Sequence, residues 1–212
     1  MIDDVELSEL LAVKLCHDLS GPVGAVNNGI ELLREGEGEF YDQAVDLADS
    51  SAKDAVARIL FYRQAYGSAN RESLVNPLFI QELSTNFFMS SKVNFTWGDA
   101  LLDAENARLI NGYVSKIILN LTLFVSKSLI HGGNVKIDIE SDGDKCKILI
   151  RGEGKSVKFD PESEVILLGS GEEKLPVSVK NVQSYFISRI LERAGMELDI
   201  SNGDDYIEII AI

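Results

Sequence analysis

The sequence predicts an α+β chain. An N-terminal antiparallel helical hairpin, forming a dimeric four-helix bundle with a second copy, is followed by an α/β sandwich with helices on one face of a mixed sheet. Three observations predict this. Apolar residues recur every three or four positions up to about residue 66, with one glycine- and acid-rich interruption. The polar stretch Gly67-Ser68-Ala69-Asn70-Arg71-Glu72-Ser73 then ends that pattern. Beyond it, alternating strand-type runs are separated by two long helical patterns. The expected division is a hairpin over residues 1–68 and an α/β domain over 74–212.

The first helix is expected over 4–34, where Leu7, Leu11, Leu15, Leu19, Pro22, Val26, Ile30 and Leu33 form one stripe. Arg34-Glu35-Gly36-Glu37-Gly38-Glu39 stops it. A second helix over 42–66 carries Val45, Ala48, Ala52, Val56, Ile59 and Tyr62. Two helices alone leave one face of each uncovered, and pairing with a second copy covers it. The next elements expected are a helix over 78–90, a strand over 92–96 and a long helix over 104–130. Strands follow over 134–140 and 145–151, with Ser141-Asp142-Gly143-Asp144 as a hairpin turn. A loop-rich stretch runs to 177. The chain closes with a helix over 179–194 and strands over 196–201 and 205–211, the last with core-type alternation from Tyr206 to Ile212.

Composition narrows the function classes. Apolar residues make up 45% of the 212, enough for an ordered core. Thirty-four acidic residues against 20 basic ones give a net charge of −14, which argues against nucleic acid or an anionic membrane as partner. No apolar run reaches the roughly 18 residues of a membrane span. The start, Met1-Ile2-Asp3-Asp4, is acidic and lacks a signal region, so the expected location is the cytoplasm. Cys16 and Cys146 lack metal-type spacing and read as reduced, mostly buried thiols.

The chemistry concentrates at Cys16-His17-Asp18-Leu19-Ser20-Gly21-Pro22. Each helical residue advances about 100°, which sets His17 nearly opposite the apolar stripe. Val13, Lys14, Ser20 and Gly21 share its face, with Leu10, Gly24 and Asn28 one turn further out; together they form the expected partner-docking surface. Glycine and proline inside a helix cost about 1 and 3 kcal/mol relative to alanine. Tolerating them suggests a gain from open approach to His17, and Pro22 should bend the helix locally. An exposed imidazole followed by an acid suits a phosphoryl carrier. Asp18 is expected to orient that ring or accept its proton; adjacent helical positions diverge, so this requires a side-chain swing or a water. The same divergence argues against a Cys16–His17 dyad. Lys14 is a candidate to offset phosphoryl charge. His131, before Gly132-Gly133, reads as a helix-terminal residue interacting with free carbonyls.

His17-Asp18-Leu19-Ser20-Gly21-Pro22-Val23 is similar to the phosphoacceptor box of sensor histidine kinases. Extended through Gly24-Ala25-Val26-Asn27-Asn28-Gly29-Ile30-Glu31-Leu32-Leu33, it more closely resembles the ChpT-type histidine phosphotransferases of alphaproteobacteria. Arg58-Ile59-Leu60-Phe61-Tyr62-Arg63-Gln64-Ala65-Tyr66-Gly67, Val182-Gln183-Ser184-Tyr185-Phe186 and Ala194-Gly195-Met196-Glu197-Leu198 support the resemblance. It implies a homodimer that relays a phosphoryl group through His17 between receiver domains, one in a hybrid histidine kinase and others in response regulators. It also implies a second domain shaped like a kinase (Bergerat-type) ATPase domain that does not use ATP. No cofactor is expected, and Mg²⁺ should arrive with the receiver.

The kinase-like boxes carry that reading. Asn120-Leu121-Thr122-Leu123-Phe124-Val125-Ser126-Lys127 resembles the Asn box, with Phe124 where kinases have a Mg²⁺-holding Asn. A phenyl ring cannot ligate a hard cation. In Gly152-Glu153-Gly154 the adenine-reading Asp is replaced by Gly152, and the later glycine box is reduced to Gly169-Ser170-Gly171. Gly21 stands where kinases with phosphatase activity have Thr or Asn, so weak hydrolysis is expected. Two alternatives stay open at this point: an ATP-dependent histidine kinase fragment, and a dimeric adaptor that binds kinases or receivers without phosphotransfer.

Overall fold

The fold was analysed in a computed structural model, which describes residues 2–35, 40–142, 145–169 and 175–212. Helix α1 (Asp4–Glu35) and helix α2 (Tyr41–Tyr66) form the hairpin. α1 continues without interruption past Pro22, whose missing N–H leaves the Asp18 carbonyl without its helical donor. The two helices approach closely at Gly29, where a Cβ would lie 2.9 Å from Ala48. The break between the helices falls outside the described residues except at its edges.

The halves of the hairpin differ. The C-terminal end of α2 is deep in the protein, with Phe61 and Ala65 fully buried and Tyr62 nearly so. Its other apolar residues, Val45, Val56, Ile59 and Leu60, are exposed, as is Ile30 on α1. Half of the predicted stripe therefore faces outward in the single chain, because its inner positions go to Ala44, Ala55 and the aromatic end.

Helix α3 (Pro77–Phe88) starts where the Asn76 side chain accepts from Leu78 N and Pro77 occupies the first turn, where its missing N–H costs nothing. Strand β1 (Val93–Trp97) follows. The predicted long helix over 104–130 is a correction. It divides into the short helix α4 (Ala104–Ala107), which follows a 3₁₀ turn (Asp99–Leu102), and helix α5 (Gly112–Ser128). The break falls at Asn111, whose side chain accepts from Tyr113 N at 2.9 Å and Val114 N at 3.1 Å and so begins a new helix.

Strands β2 (Gly133–Asp142) and β3 (Lys145–Glu153) pair antiparallel; the tip of the predicted turn, Gly143-Asp144, lies outside the described residues. The stretch expected to be loop contains helix α6 (Pro161–Leu168), capped by Asp160 and started by Pro161. Helix α7 (Val182–Ala194) and strands β4 (Leu198–Asn202) and β5 (Tyr206–Ala211) complete the chain.

The sheet order is β1-β2-β3-β5-β4, with β1 parallel to β2 and all other pairs antiparallel. Period-two alternation explains its two faces. Val135, Ile137, Ile139, Ile148, Ile150, Ile207 and Ile209 turn inward and are fully buried. On the other face Arg151 bridges Glu153 at 2.7 Å and Glu208 at 3.1 Å. α5 lies between the inner face and the hairpin, touching α2, α7 and three strands. The segment between hairpin and sheet is tied down: the Asn70 carbonyl accepts from Gly112 N, and Arg71 lies over the Tyr113 ring.

His131 also departs from expectation. α5 ends at Ser128, and nearby carbonyls are satisfied by backbone donors: Lys158 N to Ser128 O and Gly132 N to Leu129 O, each 2.9 Å. His131 is exposed beyond them. Cys16 is a further correction. It is exposed on α1, one step from the buried stripe, while burial pushes the Cys146 thiol up to about 11.

Candidate phosphoacceptor site

His17 projects from the middle of α1 with its side chain 85% exposed. Around it Val13, Ser20, Gly21, Gly24 and Asn28 are exposed and Leu10 is half-buried. Gly21 and Gly24 are not demanded by packing, since a Cβ at either would meet nothing within 4 Å. Their hydrogens leave those two positions on the His17 face without side chains. Ser20 folds back, its hydroxyl donating to the Cys16 carbonyl at 2.7 Å.

Lys14 does not share this exposure. It is 8% exposed and turned inward, with Nζ 2.8 Å from Asp18 Oδ2. The same oxygen accepts from the Tyr62 hydroxyl on α2 at 3.2 Å. Asp18 is thus clamped by one donor from its own helix and one from the next. Its other oxygen, Oδ1, lies 3.3 Å from His17 Nδ1, so the side chains meet directly and no bridging water is required. Burial alone would raise the Asp18 pKa. The Lys14 hydrogen bond and charge, with smaller help from His17, outweigh it and hold the carboxyl below its ordinary value. Burial and the Asp18 charge push the Tyr62 phenol far up, so it stays a donor.

This arrangement fixes the imidazole. A carboxylate at Nδ1 favours the neutral tautomer with its proton there, leaving the Nε2 lone pair as nucleophile. It is also placed to offset positive charge on the ring if Nε2 takes up an electrophilic group. Asp18→Asn keeps the shape and loses the charge. We expect it to slow phosphoryl acceptance roughly a hundredfold, read by rapid-quench labelling. The linkage sign follows from the lowered Asp18 pKa. The pair contributes stability above about pH 4, the unfolded carboxyl's range, and that contribution is lost as pH falls through the lower folded value.

The C-terminal domain backs the site. Lys127 near the end of α5 donates to Gln183 Oε1 on α7 at 3.0 Å, and α7 touches α1. Asn120, fully buried, donates to the Ala65 carbonyl at 3.0 Å and the Lys116 carbonyl at 2.9 Å, stapling α5 to the end of α2. Four residues on, Phe124 packs edge-on against Phe159 with centroids 5.8 Å apart. At Gly152 an added Cβ would lie 2.6 Å from Val125 Cγ1, so β3 and α5 are too close there for an acidic side chain. Among the described residues no cluster of three or more His, Cys, Asp or Glu side chains is placed to hold a metal ion. No helix of the described residues is long and apolar enough to cross a membrane.

As the sequence predicts, His17 is exposed on α1, beside exposed Val13, Ser20, Gly21, Gly24 and Asn28. Sequence reasoning missed Tyr62, which read only as one more stripe residue, and placed Lys14 outward. No local signal marks a tyrosine 44 positions away as the partner of Asp18.

An exposed histidine on a helical hairpin, held by a clamped carboxylate and backed by an α/β domain, fits a phosphotransferase. Comparison with known proteins agrees. Residues 80–206 match the family described as histidine phosphotransferase C-terminal domain. The protein phosphotransferase ChpT of Brucella abortus (strain 2308) is 32% identical over 198 residues, covering 92% of this chain and 90% of that protein. A solved structure of a bacterial phosphotransferase superposes with a TM-score of 0.83 at 27% identity, covering 100% of this chain and 98% of the other. The chain belongs to the histidine phosphotransferase family.

Proposed function

We propose that the chain relays a phosphoryl group between the aspartates of two receiver domains through His17. The observation that carries this reading is the direct His17–Asp18 contact on an 85% exposed imidazole. A receiver bearing an aspartyl phosphate docks on the face formed by Leu10, Val13, Ser20, Gly21, Gly24 and Asn28. The Nε2 lone pair attacks phosphorus in line, the acyl P–O bond breaks, and the receiver's carboxylate leaves. The proton stays on Nδ1 against Asp18. Transfer to the second receiver reverses these bonds, with its aspartate oxygen attacking and neutral His17 leaving. Such transfer requires mainly positioning and charge neutralisation. Mg²⁺ arrives with the receiver's acidic pocket. Gly21 has no side chain to orient a hydrolytic water, which suits a carrier that keeps its phosphoryl group.

The chain acts as a homodimer in this reading. Exposed Val45, Val56, Ile59 and Leu60 on α2, with Ile30 on α1, form an apolar face that a second hairpin covers as a four-helix bundle. ATP is not the donor. Phe124 offers no oxygen to Mg²⁺, and the close packing at Gly152 leaves no room for an adenine-reading carboxylate. We place the relay in the cytoplasm, consistent with free Cys16 and Cys146 thiols and a partner set of receivers.

The test is labelling of the purified chain. A ³²P-phosphorylated receiver should transfer its label to the chain as an acid-labile, alkali-stable phosphoramidate, whereas labelled ATP with Mg²⁺ alone should give none. Receiver binding without label would support the adaptor instead, and label from ATP alone would support a kinase.

A further inference from the structure

Around Asp18, the carboxylate that contacts His17, basic side chains from both domains act on one another: Lys14 and Arg58 of the hairpin and Lys127 of the other domain, with Arg58 paired to Asp54 at 2.9 Å. Lys14 is committed: its side chain is 10% exposed and its ammonium lies on Asp18. Lys127 belongs to the other domain. Its Nζ is held by Gln183 Oε1 at 3.0 Å, and Gln183 is itself buried and donates to the Asn120 carbonyl at 3.3 Å. Among the described residues no carboxylate lies within salt-bridge distance of Lys127. The surrounding protein, then the nearby Lys14 ammonium, pull the Lys127 amine below the ordinary lysine range, and Asp18 opposes them. The side chain nevertheless remains open to solvent.

This cluster therefore holds three basic side chains, Lys14, Arg58 and Lys127, against two carboxylates, Asp18 and Asp54, in a chain whose net charge is −14. The local excess surrounds Asp18, whose Oδ1 is 3.3 Å from Nδ1 of the exposed His17. A phosphoryl dianion brought to that nucleophile needs a cation within reach, and its charge favours the ammonium form of a neighbouring amine. Lys14 is ill placed for this, because moving it would release Asp18 from its clamp. Lys127 has no such duty.

Resting on the His17 relay proposed above, we infer that Lys127 of the C-terminal domain is a phosphoryl-binding residue, its ammonium engaging the phosphoryl oxygens during transfer to and from His17 while Lys14 stays on Asp18. The second domain then supplies a functional group to the reaction in addition to its shape. Gln183 is the positioning residue that aims the amine.

The experiment uses the full chain and a receiver shown to label the wild type. Lys127→Gln should lower the rate of label transfer from saturating phosphorylated receiver by about tenfold to a hundredfold, and Lys127→Arg should restore part of it. The second readout is receiver affinity. Lys127→Gln should weaken binding of the receiver in its beryllofluoride-bound form, which mimics the phosphoryl group, and leave binding of the unmodified receiver unchanged. Wild-type transfer rates in Lys127→Gln would overturn the inference. Equal loss of affinity for both receiver forms would also overturn it, showing a lysine that serves docking alone. If the wild type accepts no label from any receiver, the His17 relay itself falls; if it does and Lys127→Gln matches it, only the role of Lys127 falls.

Discussion

His17→Ala leaves a folded protein that accepts no phosphoryl label. The imidazole is 85% exposed and, among the described residues, its one polar contact is to Asp18 at 3.3 Å, so truncation removes almost no packing. Alanine is the best helix former, and stability should change by no more than about 0.5 kcal/mol. Loss of transfer, in contrast, should exceed roughly a thousandfold, since removing a nucleophile eliminates the covalent intermediate. No second imidazole can substitute. His131, the one other histidine, lies past the end of α5, whereas Lys14, Asp18 and the Tyr62 hydroxyl that orient His17 are gathered at α1 and α2. Thermal melting together with ³²P labelling separates the two effects. Label retained at wild-type levels would move the acceptor elsewhere.

Phe61→Ala should be the most damaging single truncation to the fold. The ring is fully buried, with centroids 4.2 Å from Phe87, 6.0 Å from Tyr62 and 6.1 Å from Phe88. It joins the hairpin to the C-terminal domain, because α2 there packs on α3 and α5. A cavity at such a site costs about 3–5 kcal/mol, which for a chain of this size lowers Tm by roughly 10 °C. Function should follow stability here. Tyr62 is the next residue and holds Asp18 Oδ2, so a shift of its ring loosens the carboxylate that orients His17. Phosphoryl acceptance measured well below the new Tm should therefore fall while receiver docking persists. A variant melting within 2 °C of wild type, a bound set by the same scaling, would show that the cluster does not couple the halves as its packing implies.

These expectations differ in how they could have been reached. The exposure of His17 follows from the sequence because a 100° step and a clear apolar stripe leave little freedom on one helix. The hairpin, the β2–β3 pair and β5 were legible for the same reason: periodicity is a local property. The α4–α5 break and α6 carried local signals too, in the capping Asn111 before Gly112 and in Asp160-Pro161, but the apolar run around the first and the polar residues around the second masked them. Lys14 illustrates a different limit. Its position on α1 puts it near His17, yet the direction of a long, flexible side chain is set by where a carboxylate waits, and Asp18 draws it inward.

The sequence alone determined the secondary structure of the hairpin, the candidate acceptor His17 and the residue types at the kinase-like boxes, since each depends on residue type and short spacing. Tertiary structure decided what surrounds His17. Tyr62 from α2 and Lys127 with Gln183 from α5 and α7 converge at Asp18 and Lys14 only because the Phe61 cluster seats the hairpin against α3 and α5. Contacts between residues far apart in the chain are fixed by packing of whole elements, and no short-range pattern records them.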